Sequence, residues 1–143
     1  MPVNNYSIGK DISYSVVTPS GTLTLNGKTD YSIKPIFTDL KHKGLDGITS
    51  HGVIPDGWQI DMKFDRTDPN VDNYFAQLEA NYFNGVNQQG GTIFENIVEK
   101  DGSITQFRYT NVILKYDNAG DWKGDSLIPI SVSAMASRRI KVQ

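Results

Sequence analysis

The residues best suited to chemistry are His42 and His51, the only histidines, with Asp46, Ser50 and Asp56 nearby in the segment Thr38 to Gly57. Serine, histidine and an acid can act as nucleophile, general base and orienting carboxylate. That chemistry needs the serine on a rigid turn beside an oxyanion hole, and the segment offers no G-x-S-x-G elbow. Two histidines are also too few for zinc, which normally takes three or four protein ligands. Both therefore read as solvated loop side chains.

A second constellation is Asp68-x-Asn70-x-Asp72 with Glu79, which copies the first, third, fifth and twelfth positions of a calcium loop. The sixth position, where glycine makes the sharp turn, is Asn73, and the second is Pro69. The same residues fit a capped helix better. Gly90-Gly91 is not followed by the lysine and hydroxyl residue of a phosphate loop and reads as a flexible connection. Asn5-Tyr6-Ser7 matches a glycosylation triplet, a pattern common by chance. The chain has no cysteine, which removes thiolate nucleophiles, thiolate zinc sites and disulfides together. The expectation is a protein with no catalytic residue, no metal and no cofactor.

At 143 residues the chain suits one domain, 1–143, with a core of its own. A formal net charge of -2 leaves no strong basic footprint for wrapping nucleic acid, although transient contact stays open. The N-terminal MPVNNYSIGKD lacks a secretory pattern, and no apolar run approaches the ~18 residues of a membrane span. A soluble protein with no membrane partner is expected.

The one segment with sustained helical periodicity runs from Asp68 to Gly85. Asp68 is placed to cap, Pro69 to open the first turn, Asp72 to meet the positive dipole end, and Gly85 to stop the helix. Val71, Tyr74, Phe75, Leu78 and Tyr82 share one face and are expected to anchor it on a sheet, while Asn73, Gln77, Glu79 and Asn84 face away.

The remainder reads as about seven strands. Asp11 to Thr18 alternates and ends at Pro19-Ser20-Gly21; Thr22 to Leu25 meets Asn26-Gly27, a hairpin signal, before a strand from Thr29 to Phe37 whose Pro35 suggests an edge. Thr38 to Gly57, with four glycines and weak periodicity, is expected to be a long loop. Trp58 to Asp65 has the cleanest alternation, with Trp58, Ile60, Met62 and Phe64 on a core face and Gln59, Asp61, Lys63 and Asp65 on a wet one. Thr92 to Val98, an Asp101-Gly102 hairpin, and Ser103 to Tyr116 with a bulge near Tyr109 to Val112 follow. Asp117 to Asp125 is a polar turn, Ser126 to Arg138 a closing strand, and the tail is basic. The architecture expected is mainly β: an antiparallel sandwich or barrel with one flanking helix at about 69–84.

The C-terminal half carries a family resemblance. Gly91 to Arg139 resembles tail tube proteins of contractile-tailed bacteriophages in its Asp101-Gly102 hairpin, Tyr109-Thr110-Asn111-Val112, Asp117-Asn118-Ala119-Gly120-Asp121-Trp122 and the closing Ala136-Ser137-Arg138-Arg139. The order of strands, helix and strands fits over nearly the whole chain, and the type VI secretion tube protein is similar in fold. The resemblance implies six copies closing into a ring with joined inner sheets, and rings stacking into a hollow tube. It also implies sheath, baseplate and terminator proteins as partners, passage of double-stranded DNA, and a place in a virion tail assembled in the host cytoplasm. On that reading the loop, through Asp39, Lys41, His42, Lys43, Asp46 and His51, makes ring-to-ring contacts. Gln59, Asp61, Lys63 and Asp65 then face a lumen of mixed or negative charge. The alternatives are a small carbohydrate- or peptide-binding β domain, such as a tail-associated adhesin, and an enzyme centred on His51.

Overall fold

The computed structural model describes residue 6 and residues 8–23 and 25–142. Part of the expected Thr22 to Leu25 strand, and Asn5 and Ser7 of the glycosylation triplet, lie outside the described residues. A short 3₁₀ turn, Gly9–Asp11, leads into β1 (Ile12–Thr18), β2 (Gly21–Leu23), β3 (Lys28–Lys43) and β4 (Thr49–Asp65). Then come α1 (Asn70–Phe83), β5 (Gly91–Val98), β6 (Ile104–Asn118), β7 (Pro129–Ala136) and β8 (Arg138–Lys141). No helix among the described residues is long and apolar enough to cross a membrane.

The strands follow one antiparallel path, β2-β1-β5-β6-β7-β4-β3, with β8 also on β6. The first half of β6 pairs with β5 and β8, and from Ile113 onward it pairs with β7. The register shifts where Val112 faces Gly91 and Tyr109 faces Ile93, beside Asn111 at φ 51°. This is the expected bulge, and it bends β6 so that the strand belongs to two layers. Sheet I is β2-β1-β5-β6-β8; sheet II is β6-β7-β4-β3. They fold face to face, so Tyr14 of β1 stacks on Tyr31 of β3 with ring centroids 4.2 Å apart.

Alternation decides what fills the space between the layers. Val16, Ile93, Tyr109, Val112 and Leu114 meet Ile60, Met62, Phe64, Ile130 and Val132 in one core, with Trp58 packed at its margin. The fold is thus the mainly β, antiparallel sandwich with a single flanking helix that the periodicity implies.

Three expectations are corrected. Asn26-Gly27 does not close a hairpin, because β2 pairs with β1 and β3 with β4. A three-residue β2 offers β3 little, whereas β4 offers a ladder from Phe64 to Thr49. The chain instead turns a corner there, with Gly27 accepting a hydrogen bond from Asp65 N–H at 2.8 Å and Asn26 donating to Asp68 at 2.6 Å. The segment Thr38 to Gly57 is not a loop. It is a hairpin arm, with Phe37 paired to Pro55 and Lys43 to Thr49, and its turn is confined to residues 44–48. Finally, Tyr82 is no core anchor: it is 64% exposed, and neighbouring Phe83 is 77% exposed.

The rest of the helix is positioned as its sequence dictates. Asp68 Oδ1 accepts the Asn70 N–H at 3.1 Å. At the other end Gly85, at φ +85°, donates to Tyr82 O, and Val86 N–H reaches Asn81 O at 2.8 Å, closing a Schellman motif. Val71 is buried, whereas Tyr74, Phe75 and Leu78 are half-buried. Phe75 stacks on Tyr116 of β6 at 4.5 Å, and Asp72 accepts from Tyr116 Oη at 2.5 Å and from Arg66 Nε at 3.0 Å. Asp72 therefore ties the helix to sheet II as well as serving its dipole.

Candidate assembly surface

Sheet II turns its outer face to solvent, and antiparallel register assembles that face row by row. Lys34, Gln59, Met135 and Ile113 form one row; Ser32, Asp61, Ser133 and Lys115 the next; Asp30, Lys63, Ser131 and Asn118 the third. Ser133 Oγ lies between the Asp61 carboxylate, at 3.0 Å, and that of Asp117, its single proton serving one or the other, and the Asp117 carboxylate lies 3.8 Å from Lys115 Nζ. Lys34, Lys63 and Lys115 thus stand among Asp30, Asp61 and Asp117, a balanced surface rather than an acidic one. Gln59, Asp61 and Lys63 do share this wet face, as the alternation implied, and Asp65 ends the strand opposite Pro129.

Among the described residues, neither edge of sheet II has a further strand beside it. Among the same residues, β3 pairs with β4 and with no other strand. β4 itself leaves β7 at Trp58, so the arm beyond it is a two-stranded ribbon. Such a ribbon is marginal alone in water, and this one exposes Phe37, Leu40, Leu45, Ile48, Val53 and Ile54.

The arm separates the proposed chemical residues. His42 sits opposite Ser50, and His51 opposite Lys41, so the two histidines point to opposite faces of the ribbon. Asp39, Lys41, Lys43 and His51 share one face. Asp46 accepts the Ile48 N–H at 2.9 Å within the tip turn, and Asp56 accepts from Thr38 Oγ1. Among the described residues, no three His, Asp or Glu side chains are grouped to hold a metal ion.

Two features had no clear sequence signal. Glu95 on β5 is fully buried, accepts from Tyr109 Oη at 2.6 Å and pairs with Arg139 of β8 at 3.5 Å. The Arg139 guanidinium also lies 3.6 Å from the Phe107 ring centre and 5.0 Å from that of Trp58, fastening β8 to the sandwich. Burial, with Glu95 next, pushes Tyr109 and Tyr31 well above the ordinary phenol range; burial alone pushes Tyr14 up to about 12. The second feature is Gln88, read as part of a flexible connection. Its amide receives the Leu114 N–H at 2.6 Å and donates to the Leu114 carbonyl at 3.0 Å.

This architecture is similar in fold to tail tube and tube-terminator proteins. The tube-terminating cap of the anti-feeding prophage aligns over 99% of this chain and 93% of its own, at 10% identity and a TM-score of 0.65. The sheath/tube terminator of the PVC extracellular contractile injection system aligns over 100% and 98%, at 10% identity and 0.63. The SPP1 tail tube protein aligns over 95% of this chain and 78% of its own, at 10% identity and 0.59. At such identities the likeness is one of fold. No family model and no curated protein matches the sequence.

Proposed function

We propose that the chain is a structural subunit of a tail tube, six copies forming a ring and rings stacking into a conduit for double-stranded DNA delivered into a host cell. The observation that carries this reading is that, among the described residues, the two edges of sheet II, β3 and the second half of β6, have no further strand beside them. Its four strands alternate in direction, so β3 of one copy runs antiparallel to β6 of a copy related by rotation. The sheet can therefore continue from copy to copy in a head-to-tail ring, and closure removes the edge that would otherwise template aggregation.

The face then turned to the lumen is the one bearing Gln59, Asp61 and Lys63. Balanced charge suits a conduit, because a basic wall would hold phosphates by counterion release and slow their passage. The arm, with Asp39, Lys41, His42, Lys43, Asp46 and His51, reaches beyond the sandwich to the next ring. Sheath, baseplate and terminator proteins are the further partners, in a virion tail assembled in the bacterial cytoplasm; the role is structural and not catalytic.

Negative-stain microscopy of the purified chain at rising concentration tests this. Hollow stacked rings are expected. A chain that stays monomeric throughout contradicts the reading, and single rings that never stack favour a terminator role, the role of two of the matched structures.

A further inference from the structure

We infer that Gln88 is a removable cap on the edge of β6, which holds the free subunit's sheet closed and yields its place to β3 of the incoming copy. This inference rests on the ring reading above and adds a control step to it. β5 leaves β6 after Val112, so beyond that point one side of β6 has no strand beside it among the described residues. Leu114 lies on that stretch, and the Gln88 amide occupies both its N–H and its carbonyl, as a paired residue of a strand does.

The surroundings suit a strand as occupant. A groove runs between this edge and α1, lined by Phe75, Leu78, Gln88, Leu114 and Tyr116. Phe75 and Leu78 are half-buried there, which leaves apolar surface for the inward-facing side chains of a neighbouring strand to cover. The other edge of the same sheet, β3, is the segment of a second copy that meets this one antiparallel. A strand laid on β6 must take the Leu114 groups that Gln88 holds. Until then Gln88 protects the edge against irregular pairing.

The test uses the full chain and the Gln88→Ala and Gln88→Asn variants, since the asparagine amide is one methylene too short to reach. Assembly is followed by light scattering and microscopy against concentration. Removing a competitor worth one net hydrogen-bonded pair should lower the assembly threshold about five-fold in both variants. Folded variants whose threshold is unchanged or raised overturn the inference and leave the ring reading standing, whereas absence of tubes from all three chains removes both. Should a variant fail to fold, hydrogen exchange of the wild-type chain decides. The Gln88 side-chain amide should be protected in the free subunit and lose that protection in the tube while Leu114 N–H keeps its own. Retained protection of the Gln88 amide in the tube overturns the inference.

Discussion

A Cβ placed on Gly57 would lie 2.5 Å from the carbonyl oxygen of Ala136, and Gly57 itself sits at φ +110°. At this contact β4 leaves β7 and the arm begins. Only glycine satisfies both the close approach and the backbone angle. Gly57→Ala should destabilise the domain by at least ~2 kcal/mol in urea unfolding. A loss under about 0.5 kcal/mol, the range of an ordinary surface change, contradicts this account of where the arm departs.

The arm itself should be dispensable for folding. Replacing Leu40 to Gly52 with Asn-Gly joins the paired residues Asp39 and Val53 by a two-residue turn. The shortened chain is expected to keep its thermal midpoint within a few degrees and to form rings that do not stack. Tubes of normal length sink the stacking assignment.

Much of the fold was legible because burial imposes a period. Ile60, Met62 and Phe64 are core and their neighbours are wet, so that strand could be read directly, and Asn111 lies where broken alternation placed a bulge. The arm was illegible for the same reason. Asp39 to Lys43 and Ser50 to Val53 have water on both faces, so nothing selects alternating residues, and four glycines made a ribbon resemble a loop. The helix misled at one end only: Tyr82 continues the apolar face, but the sheet does not extend beneath it. Glu95, Arg139 and Gln88 are distant in sequence from their partners, and pairing across strands leaves no local mark.

Phe75 is half-covered and stacked on Tyr116, which moderates what its loss should do. Phe75→Ala is expected to cost about 2 kcal/mol, roughly half the value for a fully buried phenylalanine. A cost above about 4 kcal/mol by chemical denaturation would show that the helix face is more fully enclosed.

Buried Glu95 and half-buried Arg139 should behave as a unit. Arg139→Met leaves a carboxylate buried with only the Tyr109 hydroxyl and should cost about 3 kcal/mol. Adding Glu95→Gln should recover at least half of that. Additive losses in a double-mutant cycle contradict the coupling.

Alkali should unfold the domain through its tyrosines. The phenols of Tyr14, Tyr31 and Tyr109 titrate higher in the fold than the ordinary value of 10.0, chiefly through burial. Groups raised on folding contribute stability that is fully present below the unfolded value and is lost as pH rises above it. Stability should therefore hold to about pH 10 and fall above it by up to ~1.4 kcal/mol per pH unit for each such tyrosine. Ionisation of Tyr14, Tyr31 or Tyr109, followed residue by residue by NMR, that runs well ahead of unfolding rules this out.

The most direct test of the central claim, that β3 of one copy lies beside β6 of the next, is cysteine cross-linking, which the absence of native cysteine makes clean. Ser32 or Lys34 on β3 and Lys115 on β6 are changed to cysteine together. Within one chain β4 and β7 intervene, a spacing of ~14 Å that no disulfide spans. Oxidised assemblies should give a ladder of covalent species ending at six, for the pair whose register matches. Tubes that form normally while every pairing along the two edges yields only monomer contradict the claim.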